Sequence, residues 1–300
     1  MLHPTINSVA YTVANKAMVI TGTGRSGTTV IGKLFNSFDS VEYIFEPPTL
    51  LSLFAVQDKI DCNSWRLLYE TFICEEFLMN CLAGRNINRN CNDDSCIQTV
   101  KSEAEIESRL CKSYRKLELV DKALSSTVVY KLLNLNSHIE QLKMDYPQTK
   151  SIFVTRNASD VMVSIQKKSW FSEASLESGL LFWPFYIYKN CKIPSFVKKD
   201  DFDKWLSFDE INKCAYYYVV SHDLINVNDV VIKYEEFVDN VNGFVEKLCA
   251  RLGVRPGSKT SYICSEVYKR KNNANDGILG DVCGELRVRI QEINSFTSSI

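Results

Sequence analysis

The sequence predicts an α/β fold, in which a central parallel sheet is flanked by helices and carries a helical insertion. Three short apolar segments rich in β-branched residues have the composition of buried parallel strands. They occupy residues 18–20, 127–131 and 152–154. Each is followed by a segment with apolar residues at helical spacing, and strands that alternate with helices indicate a doubly wound parallel sheet.

Length and composition favour one globular domain. The chain has 300 residues, of which 45% are hydrophobic and 24% charged. We expect a single domain over residues 1–300, with the insertion at about 49–120. The net charge of −1 gives no reason to expect a nucleic-acid or anionic-membrane partner. No segment approaches the roughly 18 to 20 apolar residues of a membrane span, and residues 1–17 lack the apolar centre of a signal peptide. As written, the sequence predicts a soluble, cytoplasmic protein.

The first strand, Met18 to Ile20, runs into a glycine-rich loop, and a helix is predicted to begin near Thr28. The glycines of this loop let the backbone curl with its N–H groups pointing inward. The unpaired N–H groups and the positive dipole end of the helix add to that site. We therefore predict an anion site suited to phosphate or sulfate. An ordinary glycine turn before a helix is the alternative.

The residue at position 28 narrows the kind of anion. Gly22 and Gly27 have the spacing of a nucleoside-triphosphate P-loop, but Thr28 stands where that loop has its lysine. The nearest cation, Arg25, lies inside the loop. A kinase or ATPase would lack the lysine that reaches the β- and γ-phosphates, so the sequence disfavours a P-loop nucleotide kinase.

A second candidate anion contact follows the strand at 152–154. Arg156 falls at the carboxyl end of this strand, and a helix is predicted from Ala158 to Lys168. Ser164 lies about two turns along that helix and can offer a hydroxyl beside the guanidinium. An arginine fork with a hydroxyl suits a phosphate, and a surface arginine is the alternative.

Glu46 is the candidate base. It follows the apolar segment Val41 to Phe45 and precedes Pro47 and Pro48, which end any regular element there. In a doubly wound sheet such strand ends gather at the edge that holds the anion loop. A solvated turn glutamate is the alternative from position alone.

The insertion at 49–120 is predicted to be largely helical, with an amphipathic helix over Trp65 to Leu78 and an exposed loop over Arg85 to Ser95. Six of the eleven cysteines lie between Cys62 and Cys111, and no Cys-x-x-Cys pair is present. A zinc site is therefore not expected. Buried thiols in a reducing compartment and disulfides in an oxidising one both remain open. We expect this insertion to shape an acceptor site.

Together these segments resemble the sulfotransferase superfamily that uses 3'-phosphoadenosine 5'-phosphosulfate (PAPS). The loop from Arg25 to Thr29 is similar to its phosphosulfate loop, Arg156 to Ser164 to its 3'-phosphate motif, and Val230 to Phe237 to a strand before a long helix. The resemblance implies a P-loop-like three-layer fold with PAPS as sulfate donor. The implied cofactor-binding residues are Gly24, Arg25, Ser26, Gly27, Thr28, Thr29, Arg156, Ser164, Tyr234 near adenine, and Arg270 from the basic segment before Gly277.

Within that superfamily the chain is most similar to the carbohydrate 6-O-sulfotransferases that act on GlcNAc, galactose or GalNAc. The similarity lies in the glutamate before proline at Glu46, in the cysteine-rich stretch from Cys81 to Cys111, and in Val129 to Leu135. Cytosolic phenol and steroid enzymes place a catalytic histidine just after this strand, and His138 comes several residues too late. The resemblance implies a carbohydrate acceptor and the Golgi lumen as an alternative compartment.

The resemblance also implies residue roles. Arg25 and the loop N–H groups would stabilise charge on the leaving phosphate, and Glu46 would act as the catalytic base. No aspartate at a strand end suits magnesium, so no metal is expected. The alternatives are a P-loop nucleotide kinase, a non-catalytic PAPS-binding protein, and an enzyme for a small-molecule alcohol or phenol.

Overall fold

The computed structural model describes residues 7–93, 96–111, 114–179, 184–267 and 276–299. Within these ranges most strands belong to one sheet. The strands are β1 (Met18–Gly22), β2 (Phe38–Asp39), β3 (Val41–Phe45), β4 (Thr127–Lys131), β5 (Lys150–Thr155), β6 (Phe185–Tyr188), β7 (Cys191–Pro194), β8 (Val230–Lys233) and β9 (Arg255–Pro256). The five strands of the main sheet are parallel and lie in the order β3-β4-β1-β5-β8. The predicted α/β class with a central parallel sheet is confirmed.

Helices cover both faces of this sheet and fill the insertion. They are α1 (Ser8–Asn15), α2 (Thr28–Asn36), α3 (Pro48–Ala55), α4 (Cys62–Glu70), α5 (Asn80–Leu82), α6 (Ile97–Val100), α7 (Glu103–Cys111), α8 (Lys116–Ser125), α9 (Asn136–Asp145), α10 (Ala158–Gln166), α11 (Glu173–Ser178), α12 (Phe202–Ser207), α13 (Glu210–His222), α14 (Tyr234–Asp239), α15 (Val241–Leu252), α16 (Thr260–Glu266) and α17 (Gly284–Ser299). A π-helix spans Thr71–Met79, and short 3-10 helices span Lys199–Asp201, Ile225–Val227 and Asp276–Asp281.

Successive side chains of β1 pack into the two cores that lie on opposite faces of the sheet. Val19 packs into the core on the face covered by α1 and the insertion, whereas Met18 and Ile20 pack into the core on the face of α2 and α15. Because successive side chains of a strand point to opposite faces, a central strand needs apolar residues throughout. All five residues of β1 are buried, as this argument requires.

The insertion departs from the predicted long amphipathic helix. Helix α4 ends at Glu70, and the chain continues as the π-helix. Buried residues in this segment recur five apart, in the pairs Phe72 and Phe77, Ile73 and Leu78, and Cys74 and Met79. An α-helical turn would rotate such pairs off one face, whereas the wider π turn stacks them. Burial of these residues in the core therefore favours a π-helix over an α-helix in this segment.

A buried charge cluster fastens the insertion to the sheet edge. Arg109 of α7 donates to both carboxylate oxygens of Glu42 on β3, at 2.5 and 2.9 Å. The Lys101 Nζ donates to the carbonyl oxygen of Val41 at 2.7 Å. Burial alone raises the pKa of Glu42, but Lys101 and Arg109 hold it below its ordinary value. A buried pair with two fork hydrogen bonds keeps its geometry, so α7 is fixed against β3.

Two short pairs of strands lie outside the main sheet, and the end of β8 differs from the prediction. Strand β2 pairs antiparallel with β9, and β6 pairs antiparallel with β7. The strand predicted to run from Val230 to Phe237 ends at Lys233, where α14 begins. Glu235 and Glu236 fall in the first turn of α14, where carboxylates interact favourably with the helix dipole. Tyr234 is therefore a helix-start residue.

Candidate functional site

Groups from all five strand ends line one cleft at the carboxyl edge of the main sheet. In spatial order they are Tyr234 after β8, Arg156 after β5, the loop after β1, Lys131 at the end of β4 and Glu46 after β3. They line a cleft of about 1360 Å³. The ends of parallel strands in an α/β sheet are where such crevices form. The groups that line the cleft therefore lie in the same order as the strands of the sheet.

The loop after β1 owes its shape to two glycines. Gly22 and Gly27 have positive φ angles of 140° and 96°. A Cβ atom on Gly22 would lie 2.3 Å from the Val154 carbonyl oxygen, and one on Gly27 would lie 2.3 Å from the Tyr234 ring. Side chains are thus excluded at both positions by sterics as well as by backbone angle. The N–H groups at the start of α2 point out of the helix end beside this loop.

Ser26 braces the loop. Its hydroxyl lies 2.6 Å from the Thr23 carbonyl oxygen and 3.0 Å from that of Val154, and its N–H donates to Thr23. The residue is fully buried. It is not among the residues that line the cleft, whereas Gly24, Arg25, Gly27, Thr28 and Thr29 are. Of the predicted loop contacts, Ser26 is the one that the structure keeps out of the cleft.

Arg25 and Ser164 are brought together across the cleft. Arg25 has a left-handed backbone with a φ of 72°, and its Nε donates to Ser164 Oγ at 3.0 Å. The sequence predicts that Ser164 lies beside Arg156. In the structure Ser164 of α10 contacts the loop arginine, while Arg156 lines the same cleft. Ser164 is therefore a contact of the loop arginine, in a cleft that Arg156 also lines.

Arg156 is held by three contacts and is largely buried, with 13% of its side chain exposed. Its Nη2 lies 3.0 Å from Asp160 Oδ2, and its guanidinium carbon lies 5.0 Å from the centre of the Tyr234 ring. Its carbonyl oxygen accepts from the Tyr218 hydroxyl at 3.0 Å. An arginine side chain has five N–H donors in a fixed fork. It can therefore bind an anion while it is also paired with one carboxylate.

A buried histidine supports this arginine from behind. His222 Nε2 lies 2.8 Å from Thr155 Oγ1, and its Nδ1 lies 2.8 Å from the Tyr218 carbonyl oxygen. Burial lowers the pKa of His222 to about 4, although the Tyr218 carbonyl and Asp223 favour the charged form. The ring is neutral at neutral pH, so it donates from Nδ1 and accepts at Nε2. Sequence reasoning missed this residue because its contact with Thr155 joins segments that are distant in the chain.

Aromatic rings cover the loop from the other side. The Gly24 N–H donates to the Tyr217 hydroxyl at 2.9 Å. A Cβ atom on Gly24 would lie 2.6 Å from the Trp170 ring. Burial raises the pKa of Tyr217 to about 12. Close packing of this kind makes Gly24 a fixed part of the cleft wall.

Lys131 and Glu46 form an ion pair at the other end of the row. The Lys131 Nζ lies 2.7 Å from Glu46 Oε1, and 4% of the lysine side chain is exposed against 31% for the glutamate. The same Nζ donates to Thr29 Oγ1 at 3.3 Å. Burial lowers the pKa of Lys131 and outweighs the opposing effect of Glu46. Sequence reasoning placed Lys131 in a strand but missed its place in the site.

The cleft continues beyond this pair toward the insertion. His138 of α9 lines it here, with Nδ1 2.7 Å from Gln57 Oε1 and its ring against Phe54. Burial lowers the pKa of His138 although Asp58 favours the charged form. A neutral imidazole can bond a hydroxyl group. This part of the cleft suits an uncharged polar ligand.

The cleft can therefore bind an elongated ligand that carries anionic groups at separate points. The Glu46 carboxylate lies at one end of the row of groups that line it.

No family model and no curated protein matches this sequence. Solved structures do match. The sulfotransferase STF9 from Mycobacterium avium is 13% identical, with a TM-score of 0.39 over 83% of this chain and 67% of that one. The sulfotransferase domain of the Synechococcus PCC 7002 olefin synthase is 13% identical, with a TM-score of 0.42 over 92% of this chain and 86% of that one. These likenesses concern the fold.

Four further predictions concern the basic segment, a metal site, the cysteines and a membrane span. Arg270 and the basic segment around it lie outside the described residues. Among the described residues no group of three or more histidine, cysteine or acidic side chains is arranged to hold a metal ion. All eleven cysteines are free thiols. None of the described helices has the length and apolar character needed to cross a membrane.

Proposed function

We propose that this protein is a sulfotransferase that moves a sulfuryl group from PAPS to a hydroxyl group of a carbohydrate acceptor. The observation that supports the proposal is the order of groups along the sheet edge. An aromatic ring, an arginine, an anion loop, a lysine and a carboxylate follow one another from β8 to β3. That order matches adenine, 3'-phosphate, phosphosulfate and acceptor hydroxyl in one extended arrangement.

The residues of the cleft fit such a donor. Tyr234 supplies a ring near the adenine end, and Arg156 with Ser164 binds the 3'-phosphate. The loop N–H groups and Arg25 bind the phosphosulfate, because a glycine loop at a helix start and a guanidinium both favour anions. The contacts of Gly24 with Trp170 and of Gly27 with Tyr234 leave no room for a side chain and hold the loop backbone in place.

Charge and proton movements follow from this placement. The acceptor oxygen forms a bond to sulfur as the bond from sulfur to the bridging phosphate oxygen breaks. Arg25 and the loop N–H groups stabilise the charge that grows on that bridging oxygen. Glu46 accepts the proton of the acceptor hydroxyl. PAPS supplies the activated sulfuryl group, and the chain supplies positioning, charge stabilisation and the base.

The acceptor class is the finer part of the proposal. The similarity of Glu46, Cys81 to Cys111 and Val129 to Leu135 to carbohydrate 6-O-sulfotransferases supports a sugar hydroxyl. The neutral imidazole of His138 and the Phe54 ring beside it support the same acceptor class, since sugars combine hydroxyl groups with an apolar ring face. A small-molecule alcohol or phenol is the alternative acceptor. The carbohydrate class implies the Golgi lumen as the alternative to the cytoplasm.

Binding of 3'-phosphoadenosine 5'-phosphate (PAP) tests the donor site. We expect PAP to raise the melting temperature, because a ligand that binds only the folded state stabilises it. Arg156→Ala should abolish the shift, since the 3'-phosphate loses its guanidinium. Arg255→Ala is the matched control, because that arginine is 81% exposed and lies outside the cleft. No shift in the wild type would contradict the proposal.

A transfer assay separates the remaining alternatives. Labelled sulfate from PAPS should appear on members of a glycan panel and not on phenols. Stabilisation by PAP without transfer to any acceptor would favour a binding protein. Magnesium-dependent ATP turnover without a PAP shift would favour the nucleotide kinase.

A further inference from the structure

Leu224 is an exposed apolar residue on the wall of the cleft. It directly precedes the 3-10 helix Ile225–Val227, and 48% of its surface is exposed. Single exposed leucines are common on protein surfaces and need no explanation. This leucine differs from them in its backbone conformation and in its position at the site.

The backbone of Leu224 is left-handed, with a φ of 57° and a ψ of 26°. A Cβ atom disfavours this conformation, which asparagine tolerates better than leucine does. Eight of the described non-glycine residues have a positive φ, and four of them line the cleft, namely Arg25, Glu46, Asn134 and Leu224. Leu224 is the one apolar residue among those eight. Strained backbone of this kind is typical of ligand sites, so Leu224 is a candidate contact.

Neighbouring side chains hold this turn in place. The Nδ2 of Asn136 donates to the carbonyl oxygens of Ser221 and Asp223, at 3.0 and 2.9 Å. The Nζ of Lys198 lies 2.6 Å from Asp223 Oδ2. Asn136 is buried, so its two hydrogen bonds are shielded from water. The surroundings therefore impose the left-handed backbone on Leu224 and keep its side chain on the cleft wall.

Both the strained backbone and the exposed side chain are unfavourable in the free protein. An asparagine would suit the backbone better and would be solvated in the open cleft. The surface that Leu224 exposes becomes favourable when an apolar ligand group covers it, because apolar surface gains free energy when it leaves water. A leucine at this position therefore indicates an apolar group on the ligand.

The size and lining of the cleft agree with a large, partly apolar ligand. Its volume of about 1360 Å³ exceeds the roughly 300–1,000 Å³ of a typical ligand pocket, so it has room for more than the donor and one sugar. The insertion and the segment between β4 and α9 add apolar side chains to its wall. These are Leu51, Phe54, Ala55, Val56 and Leu133. An acceptor with hydroxyl groups alone would leave this surface uncovered.

We propose that Leu224 contacts an apolar group of the acceptor, so that the substrate class is a sugar linked to an alkyl chain rather than a free sugar. The inference rests on the sulfuryl transfer proposed above and names its acceptor more closely. The sugar hydroxyl lies at Glu46, and the alkyl chain extends along the cleft wall to Leu224. In this role Leu224 determines specificity and takes no part in proton transfer or charge stabilisation.

The first test measures transfer from PAPS to n-alkyl glycosides of galactose and N-acetylglucosamine. The series runs from methyl to octyl, at concentrations below micelle formation. The KM for the acceptor should fall by roughly three- to four-fold for each CH₂ group that becomes buried. We expect little change in kcat, because the added groups lie away from the reacting hydroxyl. A KM that does not depend on chain length in the wild type would overturn the inference without any variant.

The second test removes the apolar side chain without straining the backbone. Leu224→Asn should leave the melting temperature unchanged or raise it, since asparagine suits the left-handed conformation. It should raise KM for the octyl glycosides by roughly three- to ten-fold, the loss expected for about half of a leucine contact, and leave KM for the methyl glycosides unchanged. Leu224→Met should keep the dependence on chain length. Leu117→Asn is the matched control, because Leu117 is 78% exposed and lies outside the cleft.

The outcomes separate this inference from the proposed function. A wild type that PAP stabilises, with equal changes in KM for methyl and octyl glycosides in Leu224→Asn, would overturn the role of Leu224 alone. A lower melting temperature of Leu224→Asn with unchanged KM values would mean that Leu224 stabilises the fold, and would overturn that role too. A wild type that PAP does not stabilise and that transfers sulfate to no glycoside would overturn the proposed function and this inference together.

Discussion

At the loop after β1 the backbone shapes the site, whereas at the β4 and β3 end of the cleft charged side chains shape it. Around the loop, Gly24 and Gly27 lie against the rings of Trp170 and Tyr234, with no room for a Cβ atom. At the other end, Lys131 and Glu46 hold each other by charge, and Glu46 is partly exposed. The donor end is therefore rigid, while the acceptor end can respond to a change of charge. Substitutions should alter geometry at the first end and protonation at the second.

The largest expected effect belongs to Arg25, where the two ends meet. Arg25→Ala should lower kcat by about 10²–10³, the loss typical of one group that stabilises a developing negative charge. Arg25→Lys keeps the charge but loses the Nε contact with Ser164, so it should lie between the alanine variant and the wild type. Single-turnover transfer measures both. An alanine variant as fast as the wild type would place the charge stabilisation elsewhere, with Lys131 as the next candidate.

This contrast also explains what the sequence could predict. The loop from Gly24 to Thr29 and the arginine at 156 were found because their function depends on neighbours within a few residues. Glycines needed for backbone angles and an arginine at a strand end leave a local pattern. That Gly24, Arg25, Arg156 and Glu46 line one cleft follows from the parallel sheet, which the apolar segments already indicated.

Lys131, His222 and Tyr217 could not be found in this way. Each acquires its role from contacts between elements far apart in the chain, such as Lys131 with Thr29 or Tyr217 with Gly24. A lysine that ends a strand and a histidine within a helix carry no signal of burial. The apolar residues Val230 to Ile232 predict a strand that includes Tyr234. In the structure α14 begins at Tyr234, and its ring packs against Gly27.

Acidification tests the rigidity of the donor end. His222 has a pKa of about 4 in the folded protein against 6.5 ordinarily, so the unfolded chain binds more protons between these values. Stability is then fully present above pH 6.5 and is lost as pH falls toward 4, by up to about 3 kcal/mol from this group. Urea unfolding at a series of pH values measures the loss. His222→Gln should remove this part of the pH dependence, and an identical dependence in the variant would contradict the assignment.

The smallest expected effect lies at the acceptor end. His138→Ala should raise KM for the acceptor by roughly three- to ten-fold, because one neutral hydrogen bond contributes about 1 kcal/mol. PAP binding should stay unchanged, since His138 lies beyond the Lys131–Glu46 pair and contacts Gln57 and Phe54. Gln57→Ala is the companion variant, because it frees the imidazole to rotate and should give a smaller effect of the same sign. A fall in PAP affinity with an unchanged KM for the acceptor would mean that the donor end and the acceptor end are coupled through α9. The two ends could then not be treated as separate.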